Sequence, residues 1–340
     1  VGSDASAMAV QSIGGGGGFV GSIGQNVTLG GTAALAGESN GSGGSIAVTV
    51  NSALMSSGDG AATVLAQSIG GGGGSTGGGN ATLGGLGQGQ RRGGNLTLTL
   101  EQAIGSGGSH AAGLLGQSVG GGGGSVGVVN GNLQFGRLGD ALNTGDSRAG
   151  DITLTLQPNA QLFSQGDFSP GLVLQSIGGG GGFAGGVSGS VQLGGGGLGT
   201  TGTASGGNIV WSNAGSISTS GQQSPGVVLQ TIGGGGGYST SGSSTNFSGA
   251  GHLGENTSSA DLTITNTGVI ATSGNNSFGM LAQSIGGGGG LSGASTGLVS
   301  LNNSNQNSAS GNINLENSGL ISTSGVGACE CHHRGQHRWG

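Results

Sequence analysis

The chain predicts an all-β fold, a repetitive β-solenoid of parallel, β-helix-like build with about six repeats of roughly 54 residues. Three observations predict it. The phrase Gln-Ser/Thr-Ile/Val followed by five glycines recurs six times, starting at Gln11, Gln67, Gln117, Gln175, Gln230 and Gln283, at spacings of 56, 50, 58, 55 and 53 residues. Between the copies, short segments alternate apolar with small or polar residues, the period-two signature of a half-buried strand. No segment carries helical spacing. Units of such an array bury their apolar faces by stacking on their neighbours.

Composition agrees with a thin, repetitive structure. Glycine supplies 92 of 340 residues, charged residues 5% and aromatics 3%, and the chain has no lysine. Such richness in glycine also suits a disordered chain. The apolar residues are in phase, however, and a net charge of −6 is too weak to hold the chain open by self-repulsion. Residues 1–327 read as one continuous array and 328–340 as a tail outside it.

The same order of segments recurs between glycine runs. Ile46–Val50, Leu96–Leu100, Ile152–Leu156, Leu262–Thr265 and Ile313–Leu315 form a first strand. An Asn/Gly corner follows, then a second strand, clearest over 213–221, 266–274 and 317–325. Asparagine and glycine supply the positive φ angles of tight corners. A third strand, as in Ala62–Ile69, runs into the glycine tract, and a fourth apolar patch, such as Val27–Leu29 or Val191–Leu193, lies beyond. Three or four strands per repeat suggest two to three coils each. The expected rod then has about 13 to 16 coils and, at about 4.8 Å per coil, a length of about 60 to 80 Å. Its open ends expose strand edges that invite pairing.

The glycine tract admits three readings. It is a flexible loop, a ligand cradle, or an extended or polyproline-II-like path packed backbone against backbone where a Cβ would clash. A phosphate loop is disfavoured, because G-x-G-x-x-G matches any polyglycine run and a Walker loop needs a lysine. The preceding glutamine shares a strand face with the Ile or Val two residues on. It points either inward, its amide satisfied by the bare glycine backbone, or outward to solvent or a corner.

The phrase Leu281-Ala-Gln-Ser-Ile followed by Gly286–Gly290, with its variants in every repeat, resembles the glycine-rich repeats in passenger regions of bacterial autotransporters, the type V secreted surface proteins. The resemblance covers roughly residues 1–327. It implies a β-helical passenger at the cell surface, attached to the outer membrane of a Gram-negative bacterium and commonly adhesive or biofilm-associated. It also implies a C-terminal outer-membrane β-barrel in the full-length protein. Val1 begins mid-repeat and no segment reads as a signal peptide or barrel end, so the sequence reads as a fragment. A cysteine-free array suits passengers that cross the outer membrane unfolded.

The tail departs from this pattern. Cys329–Gly340 holds both cysteines, three of five histidines and two of six arginines. Cys329, Cys331, His332, His333 and His337 offer soft and imidazole ligands for zinc or copper, although their spacing matches no standard finger. A second reading takes residues from about Ala328 onward as an out-of-frame translation of a seventh repeat. Shifting the codons of Gly335–Gly340 by one nucleotide permits Ser-Ile-Gly-Gly where the next phrase is due.

Other chemistry finds little support. No catalytic or cofactor-binding residues are assigned, because lyases and glycosidases built on β-helices need clustered carboxylates in one cleft. The densest acids, Asp140, Asp146, Asp151 and Asp167, are dispersed; Asp146, Arg148 and Asp151 are expected in a solvated loop ahead of a strand. His110 and His252 read as corner or surface residues. An acidic chain with six arginines disfavours nucleic acid. Two functions remain: a non-catalytic, surface-exposed adhesive stalk touching host or abiotic surfaces, glycans or sister chains, and a flat-faced binding solenoid such as an ice-binding or extracellular-matrix protein. Thr97, Thr99, Thr153 and Thr155 would make that flat face, with Ala47, Val210 and Asn314 interrupting it.

Overall fold

The computed structural model describes residues 2–30, 41–84, 90–136, 146–194, 203–248, 256–302 and 307–327. Within them every regular element is a strand. Thirty-five strands form five six-stranded sheets and one five-stranded sheet, and every pairing is parallel between equivalent segments of adjacent repeats. The register is set by the phrase itself. Gln11 pairs with Gln67, Gln67 with Gln117, Gln117 with Gln175, Gln175 with Gln230 and Gln230 with Gln283.

One repeat is therefore one coil, and this corrects the expectation of two to three coils per repeat. Six coils at about 4.8 Å give a stack of about 29 Å, half or less of the expected length. The second coil shows the course of the chain. A central strand, Val64–Ile69, meets the glycine tract, and a return strand, Gly73–Gly78, leaves it. A rim strand, Ala81–Leu83, follows; then come a short strand, Arg91–Arg92, a face strand, Leu96–Leu100, and a corner strand, Ala103–Ser106. The next central strand is Leu114–Val119. Every segment expected as a strand is one, but all of them are sides of the same wide turn.

The coil is wide because it encloses two lobes that share the central sheet. On one side, Val64, Ala66, Leu114, Leu172 and Leu174 of the central strands pack on the face and corner strands through Leu98, Leu154, Trp211 and Ile104. On the other side, Leu65, Leu115, Val173 and Val228 meet Phe183 and Tyr238 of the return sheet, whose rings pack edge to face. Val126, Val129, Leu133, Phe135 and Leu193 fill the space between return and rim strands. Central strands of the inner coils are consequently buried at every position. Parallel strands covered on both faces lose strict alternation, which is why Leu172-Val-Leu174 runs apolar without a break. Each fully covered Leu or Ile contributes on the order of 2 kcal/mol of transfer free energy.

The glycine tract makes the second lobe possible. In the second coil Gly71 and Gly72 have φ of 75° and 87°, and Gly73 and Gly74 have φ of 135° and 139°. The latter pair occupies a region open essentially to glycine alone. A Cβ on Gly73 would lie 2.0 Å from the Gly123 carbonyl oxygen of the next coil, and one on Gly74 would lie 1.9 Å from that of Gly18 in the previous coil. The tract thus packs backbone against backbone, as one sequence reading proposed. Its path is not polyproline II, whose φ is negative.

Candidate functional surfaces

The repeated phrase is spent on structure. Gln67 Nε2 donates to Gln117 Oε1 at 2.6 Å, Gln117 to Gln175 at 2.7 Å, Gln175 to Gln230 at 2.8 Å and Gln230 to Gln283 at 2.8 Å. The second amide N–H of Gln117 reaches the Gly124 carbonyl at 3.0 Å, and Gln175 and Gln230 make the same contact with Gly182 and Gly237. Gln67, Gln117, Gln175 and Gln230 are fully buried between the central and return sheets. The inward alternative holds, and the ladder of glutamine on glutamine is an addition that one repeat read alone does not reveal.

The serine of the phrase faces the other lobe. Ser118 Oγ donates to Gly94 O at 2.9 Å and accepts from Gly150 N at 2.7 Å, tying the central sheet to the turn ahead of the face strands in two coils. Ser68 and Ser176 repeat the pattern.

Of the dispersed acids, Asp151 and Asp167 fall into columns along the axis, joined by Asp59 and Asp261. Asp151 Oδ1 accepts from Asn208 N at 2.8 Å, Asn95 Oδ1 from Asp151 N, Asn208 Oδ1 from Asp261 N and Asp261 Oδ1 from Asn312 N. Asp59 accepts from Ser109 N and Asp167 from Gln222 N at a second corner. Each acid thereby caps a backbone N–H of the following coil, which is a structural task. Sequence spacing carried a signal for this: Asn95, Asp151, Asn208 and Asp261 recur 53 to 57 residues apart.

Asp146 and Arg148 do not lie in a simple solvated loop, because Ser147–Arg148 is itself a strand of the short sheet. Arg148 Nη2 stands 3.5 Å from Asp146 Oδ2, while Asp146 Oδ1 accepts from Thr203 Oγ1 at 2.7 Å. The short sheet places Arg92 beside Arg148 in register, followed by Ser205, Ser258 and Ala309. Beside that row runs an open groove of about 600 Å³ bordered by Arg148, Thr203, Asn256 and Asn307.

Histidine 110 occupies the turn between corner and central strands. Its ring stacks on Phe168 at 4.9 Å with an interplanar angle of 2°, and Nδ1 is 3.1 Å from Thr240 Oγ1. Burial pushes its pKa down, while Asp59 and Asp167 pull it partly back up. Burial likewise pushes the Tyr238 phenol far up, so it stays protonated. His252 and Asp140 lie outside the described residues, as does the candidate metal set Cys329, Cys331, His332, His333 and His337. Among the described residues no three His, Cys, Asp or Glu side chains gather as a metal site would require.

On the outer side of the face sheet, Thr49, Thr99, Thr155, Ser212 and Thr265 form one row in register, ending at Glu316. The neighbouring row, Ala47, Thr97, Thr153, Val210, Thr263 and Asn314, is mixed. Comparison with known proteins gives no match to a family model, a curated protein or a solved structure.

Proposed function

We propose that the chain is the stalk of a surface-exposed, non-catalytic passenger of the autotransporter type, held at the outer membrane of a Gram-negative bacterium and serving attachment or biofilm-type contacts. The observation that carries this reading is the one-coil-per-repeat register. Each further repeat lengthens the stack without altering its cross-section, so length is set by repeat number and the same outer rows are offered along the axis. The use of Asp59, Asp151 and Asp167 as caps on backbone N–H groups speaks against a catalytic cleft. Partners in this reading are host or abiotic surfaces, glycans or sister chains, and a membrane barrel anchors the full-length protein. Labelling intact cells and deleting the repeats tests it: surface label and loss of attachment are expected, and a protein found only inside the cell overturns it.

A second reading, a flat-faced binding solenoid, is favoured by the threonine row from Thr49 to Thr265. Regularly spaced hydroxyls on a rigid sheet suit an ordered surface such as ice. Thermal hysteresis at micromolar protein supports this reading, and ordinary freezing removes it.

A further inference from the structure

Among the described residues, arginine is confined to one place. Among the described residues every arginine, Arg91, Arg92 and Arg148, lies on the short sheet, and the chain has no lysine. Arg92 and Arg148 are neighbours in register, which sets their backbones about 4.8 Å apart, and both side chains are exposed. Arg92 donates to Gln90 Oε1 at 3.0 Å, a neutral partner. Arg148 is held by Asp146 at 3.5 Å, a long pairing for two half-exposed groups. The groove begins at Arg148, with Arg92 one coil before its end, and runs from Arg148 over three more coils on uncharged hydrogen-bonding groups, chiefly Thr203, Asn256 and Asn307.

We propose that this groove binds a linear polysaccharide carrying carboxylate sugars, with carboxylates on Arg92 and Arg148 and sugar hydroxyls on the amides and hydroxyls further along. Planar guanidinium forks match carboxylates in bidentate fashion. Asn and Ser/Thr both donate and accept, as sugar hydroxyls require. The groove runs parallel to the axis, so an extended polymer crosses successive coils and meets the same rows. Nucleic acid is the poorer occupant, because the two exposed arginines of this sheet, in a chain of net charge −6, leave little to neutralise a phosphate backbone. The inference names the ligand class of the adhesive stalk proposed above and rests on that reading.

The test measures binding of polygalacturonate, its fully methyl-esterified form, neutral dextran and single-stranded DNA by calorimetry at low salt. Binding is expected for polygalacturonate alone, weakening as ionic strength rises to about 0.15 M. Arg92→Gln with Arg148→Gln is expected to weaken it at least about tenfold, the equivalent of one charge-assisted hydrogen bond. Asp146→Asn is expected to strengthen it, since a competing carboxylate leaves the site. Both arginines are exposed, so an unchanged melting temperature is expected; if the double variant unfolds, Arg148→Lys, which keeps charge without the fork, is expected to give an intermediate loss. Equal binding of the methyl ester or DNA, or indifference to both the arginine and the Asp146 variants, overturns the proposal. Cells that still attach while carrying the double glutamine variant overturn this inference and leave the stalk reading standing.

Discussion

Two corners of the coil follow opposite rules. At the return corner all six repeats spell glutamine and five glycines, whereas at the end of the face strand one row in register reads Val50, Leu100, Leu156, Asn213, Asn266 and Asn317. The row changes character halfway, from aliphatic contacts to an amide ladder in which Asn213 Nδ2 donates to Asn266 Oδ1 at 2.7 Å and Asn266 to Asn317 at 2.6 Å. Val50, Leu100, Leu156, Asn213 and Asn266 are all buried. The difference is physical. A row that must only fill volume and satisfy its polar atoms has more than one solution. Backbone pressed on backbone has one.

A third row separates the two causes of glycine. In the turn between corner and central strands, Asp4, His110, Phe168, Gln223 and Asn276 all have φ between 50° and 57°. Left-handed φ alone therefore does not force glycine there. In the tract, φ lies further out and the neighbouring coil occupies the Cβ position. The largest expected effect breaks these apart. Gly124→Ala, whose Cβ would sit 1.9 Å from Gly74 O at a φ of 139°, is expected to cost more than about 3 kcal/mol or to prevent folding. Gly18→Ala has a similar φ of 147° but nothing within 4 Å, and is expected to cost only the strain, about 1 to 3 kcal/mol. Urea titration of both variants is the measurement, and equal losses would show that coil contact is not what demands glycine.

The glutamine ladder comes next in size. Gln117→Leu leaves Gln175 Oε1 without its donor and Gln67 Nε2 without one of its acceptors, in a fully buried site. A loss of about 1 to 3 kcal/mol is expected. Replacing all six glutamines by leucine removes partners together, so the loss per site should be smaller than for the single change. A single change milder than the per-site average of the six would refute the ladder as a coupled unit.

The face row offers a finer contrast. Leu156→Asn places an amide next to Asn213, whereas Leu100→Asn places one between two aliphatic neighbours, Val50 and Leu156. Both lose the burial of a leucine, but only the first gains a partner. Leu156→Asn is expected to be milder by about 1 kcal/mol, the net worth of one hydrogen bond. Equal melting temperatures would mean that the Asn ladder cannot be extended into the aliphatic half.

Much of this was legible in the sequence. The strand segments, their parallel character and the identical register all follow from a phrase repeated with its own period. The coil count did not, because strand number per repeat says nothing about how far the chain travels before closing. That distance is set by the reversal at Gly71–Gly74, which none of the three sequence readings of the tract, as loop, ligand cradle or extended path, had named, because five glycines do not show their φ. The acid columns, signalled only by the 53- to 57-residue spacing of Asn95, Asp151, Asn208 and Asp261, were missed for a related reason. Asp59, Asp151 and Asp167 look scattered along the chain and become neighbours of the next coil's N–H groups only once one repeat is one turn. The arginine pair was missed because Arg92 and Arg148 stand 56 residues apart, a full coil.

The smallest expected effect sharpens the third row, where the chain tolerates side chains at left-handed φ. His110 is partly buried against Phe168 and its pKa is lowered, so the folded state holds the neutral ring more firmly than the unfolded chain does, whose value is 6.5. Above that pH both states are neutral and the residue contributes no pH dependence. As pH falls through 6.5 the unfolded state takes up the proton first, and stability declines until the lowered folded value is passed. Melting temperature is therefore expected to drop between about pH 7.5 and about pH 5 beyond what the carboxylates cause. His110→Asn is the matched control, since asparagine holds the same φ at Asn276. The variant should lose that part of the pH dependence while folding normally at pH 7.5. An unchanged pH profile would mean that the ring is protonated without leaving Phe168, and that this row, unlike the glycine tract, gives way to the charge it carries.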